Sequence, residues 1–496
     1  MDFVCNFPAL SIVLCLMSAI VSSALKGKAA KWLNTVLLVT VLGLSVCVLF
    51  YTMKTGDFFV YTMGKFPAPW GNEIRAGILE GLMATFFCII MILSVIGGRK
   101  YFYEDVEESR QNLYFIMTNL LLSSLLAMVY TNDLFTAYVF VEINTIAACG
   151  LIMVIQNGRT IEAAIRYMIM SLLGSGLFLI GICILYDITG HLLMSNIQQA
   201  VANLVATKEY QIPLVMAIAL LCVGLAIKSA LYPFHSWLPD AYGYSTISSA
   251  AMLSSLVSKG YIFVVIKIMY RVIGFDVFVD SKIINILFVF GILGMIIGSI
   301  DAIRENDIMR MIAYSSVAQI GYIYMGFGLG SEAGMVASVF HIFSHAATKS
   351  LLFISAKGLC DVSGNSKTFI DLTGAGRRHL IAGIGFIVGG LSMVGIPMFS
   401  GFVSKLLFAQ AAILSNRKML ITLIALAIST ILNAIYFMKT IIRIYSPSKE
   451  TSTVNLKIKN PMYGIAMVFF ILLNIILGMW STTIVTLIEN GLHMFR

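Results

Sequence analysis

Charged residues are scarce in this chain. Only 11% of its 496 residues are Asp, Glu, Lys or Arg, and 59% are hydrophobic, whereas a soluble domain carries roughly 25% charged residues. The alternating short strands of a transmembrane barrel are also missing. These shortages exclude a soluble globular domain and predict an all-α polytopic membrane protein that lies in a lipid bilayer.

Motifs for cofactors and nucleotides are missing as well. The eight cysteines are scattered and form no CxxC pair, which argues against an iron–sulfur cluster or a structural zinc site. Neither a Walker motif nor a dinucleotide-binding fingerprint occurs. A haem between His235 and either His341 or His345 would need facing ligands, and no feature selects for it. We expect no cofactor, metal or nucleic-acid partner and no catalytic centre in this chain, and leave open whether it serves an enzyme complex.

Long apolar runs predict about fourteen membrane helices, since a helix needs ~20 apolar residues to cross a bilayer. The predicted spans are residues 4–25, 31–53, 77–97, 113–130, 133–155, 161–186, 213–233, 245–270, 283–300, 308–329, 332–358, 380–414, 419–445 and 461–489. The twelfth run is too long for one straight helix, and Pro397 between Gly395 and Gly401 predicts a break in it. Pro233 predicts that the seventh span ends or bends just after Lys228.

The basic loop residues predict a multi-pass protein of the cell (inner) membrane with both termini outside. With this orientation the inner loops hold about twice as many Lys and Arg residues as the outer loops, as the positive-inside rule expects. The residues assigned to the inner side are Lys26, Lys28, Lys31, Arg99, Lys100, Arg110, Arg159, Arg304, Arg310, Lys357, Lys367, Arg377, Arg378, Arg443, Lys449, Lys457 and Lys459. Residues 195–207 are predicted to form a surface helix on the outer side.

Titratable side chains lie inside several of these apolar runs. They are Glu142, Lys228, Lys259, His341, His345, Lys349 and Lys405. An ionisable group at bilayer depth costs several kcal/mol and is usually paired, hydrated and functional. A series of such groups over many spans therefore predicts a path for protons or ions.

Three of these groups share one helical face. His341, His345 and Lys349 recur every four residues, a stripe that rises about 12 Å and suits a proton relay. A lone histidine on such a face would more often be a hydrogen-bonded packing residue. Lys259 stands among serines that leave room for water. Lys267, two turns further on, is predicted to be an ordinary lysine that snorkels to the interface.

Simpler structural roles stay open for the others. In these alternatives, the Glu142 carboxylate accepts hydrogen bonds from a hydroxyl or amide at a polar helix interface, and Lys228 snorkels to the lipid headgroups. Lys405 would be a lysine at the end of a helix on the outer face. Glu80 and Asp301 are acids at the edges of spans, for which no special role is predicted.

The chain also suggests an internal repeat. Lys228 beside Pro233 in the seventh span matches Lys405 beside Pro397 in the twelfth, five spans later. An odd offset makes the two helices antiparallel, so the repeat would be inverted, as in many transporters with broken helices. The predicted units are an N-terminal three-helix segment (1–112), two five-helix repeats (113–270 and 283–445) and a C-terminal helix (446–496).

Four stretches of the sequence form recognisable motifs. They are GLAIKSALYPFHSWLPDAY (224–242), MRMIAYSSVAQIG (309–321), HIFSHAATK (341–349) and GIPMFSGFVSK (395–405). In this order they resemble the antiporter-like membrane subunits of respiratory complex I, of Mrp-type cation/proton antiporters and of energy-converting membrane hydrogenases. The stretch after Tyr242 lacks the Pro-containing turn often found in that superfamily, which leaves the geometry of the eighth helix open.

The resemblance implies fourteen helices, two inverted five-helix units and a central polar axis. By position it assigns a charge-switching glutamate to Glu142, its partner lysine to Lys228, a bridging lysine to Lys259, connecting roles to His345 and Lys349, and the exit lysine to Lys405. It implies a proton or Na+/H+ translocating subunit of a redox-driven complex, coupled through other membrane subunits to iron–sulfur, hydrogenase or dehydrogenase subunits. A subunit of a Mrp-type secondary antiporter without a redox partner is the alternative.

Overall fold

Helices account for nearly all regular structure in this protein. The computed structural model describes residues 3–25, 27–66, 71–415, 417–447 and 460–495. Four of the basic residues assigned above to the inner side, Lys26, Lys449, Lys457 and Lys459, lie outside these described residues. The all-α, multi-pass membrane architecture predicted from composition is confirmed, because eleven of the described helices are long and apolar enough to cross a membrane.

The helices follow one another with short connections. They are α1 (Phe7–Ala24), α2 (Lys28–Thr55), α3 (Ile78–Asp105), α4 (Gln111–Tyr130), α5 (Leu134–Ile152), α6 (Gly158–Thr189), α7 (Met194–Thr207), α8 (Gln211–Lys228), α9 (Leu238–Tyr244), α10 (Ile247–Met252), α11 (Ser258–Lys267), α12 (Phe275–Asp280), α13 (Ile283–Arg304), α14 (Ile308–Gly328), α15 (Glu332–Asp361), α16 (Ala375–Arg378), α17 (Leu380–Val394), α18 (Ser400–Leu414), α19 (Met419–Tyr445), α20 (Pro461–Met479) and α21 (Ser481–His493).

A small hairpin joins α2 to α3. Strand β1 (Phe59–Thr62) pairs antiparallel with β2 (Glu73–Ala76). No strand was predicted in this polar stretch. The pairing provides hydrogen-bond partners for backbone N–H and C=O groups that lie outside any helix.

Both predicted helix breaks are present. α8 ends at Lys228, and the chain turns through Pro233, whose missing N–H cannot continue a helix. α17 ends at Val394, Gly395 adopts a left-handed φ of +91°, and α18 begins at Ser400. The two half-helices pack so closely that a Cβ on Gly401 would collide with the backbone of α17.

Three predicted spans differ from the structure. The third, predicted to end at residue 97, continues as α3 to Asp105. The eighth is a continuous helix that contains two π-helical turns, Leu253–Val257 and Ile268–Val272, and every residue of it is buried. Thr246 caps its start by accepting a bond from the Ser249 N–H, so the missing proline is replaced by a polar cap. The last predicted span, 461–489, was too long, because the chain divides at Trp480 into α20 and α21.

The two ends of the helix bundle are called here the termini face and the opposite face. The termini face carries Phe3–Asn6, the hairpin and α21, and Arg75 of β2 donates to the Met494 carbonyl there. The predicted surface helix is α7, on the same face, where the Gln198 side chain donates to the Tyr270 carbonyl. The opposite face is tied by ion pairs such as Lys100–Asp361 at 2.9 Å.

Exposed apolar side chains cover the outside of the bundle. On α6, Ile165, Ile169 and Leu172 are each more than half exposed, at 54%, 56% and 55%. Such surface is unfavourable in water but suits lipid chains. α11, α14 and α15 lie at the centre, and they carry or flank most of the titratable residues identified above.

Candidate ion pathway

A buried ion pair joins α5 and α8. The Lys228 ammonium lies 3.3 Å from Glu142 Oε1, and the lysine is fully buried while the Glu142 side chain is 24% exposed. The Ser175 hydroxyl of α6 also donates to Glu142. The alternative that Lys228 snorkels to the headgroups is therefore wrong, because its carbon chain and ammonium are enclosed by neighbouring helices.

Hydroxyl groups connect this pair to α11. Lys228 Nζ donates to Thr145 Oγ1 at 2.8 Å, and that oxygen lies 3.3 Å from the Tyr261 hydroxyl. The Tyr261 hydroxyl in turn lies 3.4 Å from that of Tyr167. Thr145 thus provides a hydrogen-bonded link between the Glu142–Lys228 pair and the helix that carries the next lysine, beside the direct contact of Lys228 with the Tyr261 ring at 5.5 Å.

Lys259 occupies the centre of the molecule. It is fully buried, and its ammonium donates to the Ser254 carbonyl and to the Ser258 hydroxyl at 3.1 Å. Ser254 lies in the π-helical turn before α11, and such turns disturb the regular backbone bonding and recur at functional sites. Among the described residues no carboxylate lies within 4 Å of this ammonium, so its charge is offset by dipoles alone.

The stripe on α15 continues from Lys259. His345 interacts electrostatically with both Lys259 and Lys349, and Lys349 donates to the Ile312 carbonyl at 2.7 Å. The rings of His341 and His345 stack, with centroids 5.9 Å apart and planes inclined by 17°. Both ring nitrogens of His345 are buried and lack a hydrogen-bond partner among the described residues, as expected of a group that bonds to water.

Lys405 lies beside the second helix break. Its ammonium donates to the Val394 carbonyl at 2.7 Å and to Thr430 Oγ1 at 3.0 Å. The Tyr322 ring separates it from His341: the Lys405 ammonium is 5.8 Å and the His341 ring 5.4 Å from the Tyr322 centroid. Lys405 therefore occupies the first half of α18 at the break, and the alternative of a lysine at a helix end does not hold.

A buried amide holds this break together. Asn474 Oδ1 of α20 accepts hydrogen bonds from the hydroxyls of Thr348 at 2.7 Å, Ser400 at 3.2 Å and Ser392 at 3.4 Å. All four side chains are fully or almost fully buried. The cluster joins α15, α17, α18 and α20, and sequence reasoning missed it because neutral hydroxyls in apolar runs give little signal.

Sequence reasoning was wrong about a second group of charges near the termini face. Lys267, predicted to snorkel, is fully buried and donates to the carbonyls of Met128 at 3.0 Å and Thr131 at 2.7 Å, because its helix is enclosed on every side. Glu80 is only 1% exposed and lies 3.9 Å from Arg271. The four-residue spacing of Lys267 and Arg271 could have shown that they share a face with Lys259.

Asp301, for which no special role was predicted, has a partner. Its carboxylate lies 3.9 Å from His235 Nε2, in the segment that follows the first break. His341 lies 2.6 Å from Ser404 Oγ and stacks on His345. These contacts give no support to the haem alternative between His235 and the α15 histidines, which no sequence feature favoured.

A helical membrane protein with two broken helices and a buried row of lysines and histidines is an antiporter-like membrane protein. Residues 131–433 match the family described as NADH:quinone oxidoreductase/Mrp antiporter, transmembrane. The chain belongs to this family.

The alignments with named relatives cover most of the chain. It is 30% identical to NADH-quinone oxidoreductase subunit N of Desulforudis audaxviator over 79% of this chain and 77% of that protein. It is 29% identical to the putative antiporter subunit mnhD2 of Staphylococcus aureus over 87% of this chain and 83% of that protein. These relatives come from two different kinds of membrane complex.

Solved structures show the same fold. A chain of the membrane-bound sulfane sulfur reductase, an archaeal respiratory membrane complex, matches with a TM-score of 0.89 and 24% identity over 98% of this chain and 97% of that chain. A chain of the Mrp complex from Dietzia sp. DQ12-45-1b matches with a TM-score of 0.87 and 21% identity over 99% and 97%. The antiporter-like fold therefore extends over the whole chain.

Proposed function

We propose that this chain translocates protons, or exchanges Na+ for protons, as a subunit of a redox-driven membrane complex. The observation that carries the proposal is the buried row that begins at the Glu142–Lys228 ion pair and ends at Lys405 beside a broken helix. Because the chain has no nucleotide-binding motif, partner subunits supply the energy. We expect those partners to be other membrane subunits and, through them, iron–sulfur, hydrogenase or dehydrogenase subunits.

The proposed topology has fourteen spans. α14, α15 and the α17–α18 pair join the eleven helices already described as long and apolar enough. We assign the repeats to 113–270 and 283–445, between an N-terminal segment (1–112) and a C-terminal helix (446–496). Supporting this, each unit has one broken helix with a lysine beside the break, and Lys228 is fully buried while Lys405 is half-buried. We assign the termini face to the outer side of the cell membrane.

In the proposed mechanism, the ion pair controls the first proton transfer. With Lys228 Nζ 3.3 Å from Glu142, the Coulomb attraction at an effective dielectric of ~20 is roughly 5 kcal/mol and favours the protonated lysine. Opening of the pair removes this attraction. Lys228 then loses its proton towards Lys259. The Thr145 hydroxyl accepts this proton and turns its own O–H from the Val141 carbonyl to the Tyr261 hydroxyl, which passes a proton on in the same way.

The later transfers use the central groups. From Lys259 the proton passes to the His345–His341 stack, with Lys349 holding an adjacent charge. It leaves through Lys405, next to carbonyls that the helix break exposes. The groups between the two ends of the row are buried, and only Glu142 and Lys405 at its ends are partly exposed. Burial of the middle groups limits uncontrolled passage of ions.

The test is transport by single-residue variants in vesicles that contain the complex. Lys228→Met and Glu142→Gln should each lower coupled proton or Na+ transport at least tenfold, because either change removes the roughly 5 kcal/mol attraction. Lys208→Gln, which changes an exposed lysine on the termini face, is the matched control. Transport at the wild-type rate in both pathway variants would refute the proposal.

A Mrp-type secondary antiporter without a redox partner is the second candidate. It is favoured by the 29% identity to a putative antiporter subunit over 87% of this chain. Purification of the intact complex through this chain decides between the two. Iron–sulfur, hydrogenase or dehydrogenase subunits in the complex support the redox-driven assembly, whereas their absence with retained Na+/H+ exchange supports the antiporter.

A further inference from the structure

A line of positive charges runs from the centre of the row to the termini face. Lys259, Lys267 and Arg271 are separated by multiples of four residues and so lie on one side of the same helix. The line extends for about 18 Å at 1.5 Å per residue. Lys267 and Arg271 are 0% and 3% exposed, and the transfer steps above do not use them.

Among the residues in direct contact within this cluster, positive charges outnumber negative ones. Lys267 donates to two carbonyls, and within the described chain no carboxylate lies within 4 Å of its ammonium. Arg271 donates to Asn132, while its Nη1 is 3.9 Å from Glu80, which is too long for a hydrogen bond. Arg75 is 8% exposed. With Glu73, which accepts from Asn132 at 2.9 Å, the cluster holds three positive and two negative charges.

Several polar atoms in this cluster need water as a hydrogen-bond partner. Arg271 Nη1, Glu80 Oε1 and Arg75 Nε are buried and make no hydrogen bond to any described residue. Buried polar atoms are normally paired with protein or ordered water. A cavity of about 340 Å³ lies at the same end of the molecule, lined by Tyr270 and Leu492 and by two acids, Glu332 and Glu489. The acids lie at the outer, water-facing end, and the three basic residues lie further in. The termini face therefore brings water close to the outer end of the line that begins at Lys259.

If water reaches this cluster, protons on Lys259 gain a second route out of the molecule. A proton on Lys259 could leave directly along its own helix, past the buried Phe263, without passing His345 and Lys405. Protons that left by this route would bypass the second half of the row, and translocation through Lys405 would be lost. Residues at this end therefore have to oppose the passage of cations without blocking the rest of the row.

We propose that Lys267, Arg271 and Arg75 form an electrostatic barrier that prevents protons and Na+ from escaping between Lys259 and the termini face. Fixed positive charges in a low-dielectric channel exclude cations, as arginines do in selective pores. Lys267 is the first charge on the route, about 12 Å from Lys259 along the helix. At that distance and a dielectric of ~20, one charge lowers cation occupancy about tenfold. The inference rests on the proposed ion-translocating function.

A clamp for the C-terminal segment is the competing explanation. Arg75 donates to the Met494 carbonyl, and Arg271 lies 5.7 Å from the Phe495 ring centroid. A clamp and a barrier both depend on the side chains' contacts. Only a barrier depends on the sign of the charge, so variants that keep or remove the charge separate the two explanations.

The experiment measures passive proton leak in liposomes that contain the purified complex with this full-length chain. A pH difference is imposed, the membrane potential is clamped to zero, and an internal pH dye reports its decay without any driving substrate. The charge-removing variants are Lys267→Met and Arg271→Gln, and glutamine keeps an amide donor for Asn132. The charge-preserving controls are Lys267→Arg and Arg271→Lys, and Lys208→Gln removes an exposed charge on the same face.

We expect the two charge-removing variants to leak about tenfold faster than wild type, and the three controls to stay within twofold of it. The fast leak should persist when Lys405→Met is added, because the escape route bypasses Lys405. Wild-type leak in both charge-removing variants would overturn the barrier, as would equal leak in Arg271→Lys and Arg271→Gln. If Lys267→Met does not assemble, the Arg271 pair decides alone.

The same preparation separates this inference from the proposed function. Coupled transport is measured with the driving substrate present, and its loss in Lys405→Met tests translocation through the row. Passive leak is measured without that substrate. A wild-type coupled rate in Lys405→Met would refute the proposed exit, whereas an unchanged leak in Arg271→Gln would refute only the barrier.

Discussion

Thr145 offers the sharpest single test of the row, because its hydroxyl makes three bonds at once. It donates to the Val141 carbonyl at 3.0 Å, accepts from Lys228 at 2.8 Å and lies 3.3 Å from the Tyr261 hydroxyl. A hydroxyl has one donor and two acceptor sites, so all its capacity is used. Replacement by valine keeps the branched shape and removes the oxygen that links Lys228 to α11.

The expected magnitude follows from the charge on Lys228. A hydrogen bond to a charged group contributes about 1.5–3 kcal/mol, which corresponds to roughly a tenfold to hundredfold change in rate if the bond forms on the transfer path. Thr145→Val should therefore lower coupled transport by that factor, while the Glu142 ion pair is left in place. Thr145→Ser keeps the oxygen and should stay within about threefold of wild type.

The assay is initial-rate proton or Na+ uptake by vesicles that contain equal amounts of assembled complex. Thermal unfolding of each variant is recorded to separate a transport defect from a loss of stability. A valine variant that transports at the wild-type rate would refute the role of this hydroxyl. So would a serine variant as impaired as valine, because the oxygen would then not be the group that matters.

Two further outcomes concern the second helix break. Asn474→Ala should lower the free energy of unfolding by about 1–3 kcal/mol, since three buried hydroxyls lose the acceptor that they share. Thermal melting measures this loss. The control Asn203→Ala, on the exposed side of α7, should leave the melting temperature unchanged. Gly401→Ala should abolish transport or assembly, because its Cβ would collide with the Ser392 carbonyl; Gly43→Ala, where a Cβ meets nothing within 4 Å, should assemble and transport normally, and equal behaviour of the two glycine variants would contradict the close packing.

The positions of most helices could be predicted from local sequence to within a few residues, although α3 runs eight residues past its predicted end at 97. α19, for example, covers the predicted 419–445. Apolar runs are limited by the bilayer thickness, and proline in the interior of a run disrupts the helix, so both breaks were also predictable. The length of the last span was not predictable, because no proline marks its division at Trp480, where the chain separates into α20 and α21, which both pack against α3 and α15.

The sequence also placed ionisable groups at bilayer depth but did not give their partners. That Glu142 meets Lys228, or that Lys405 reaches the end of α17, depends on how helices distant in the chain pack together. Burial was misjudged for Lys267, because a lysine near the end of a run looks the same whether its helix faces lipid or protein.

By itself, the amino-acid sequence determined that this chain is a multi-pass helical membrane protein, where its helices break and which side chains carry charge inside it. These properties follow from hydropathy and from backbone chemistry, which act over a few neighbouring residues. Only the tertiary structure decided which charges are paired, which are fully enclosed and which groups connect them. Those properties depend on distances of a few ångströms between helices far apart in the chain, and no local pattern specifies them.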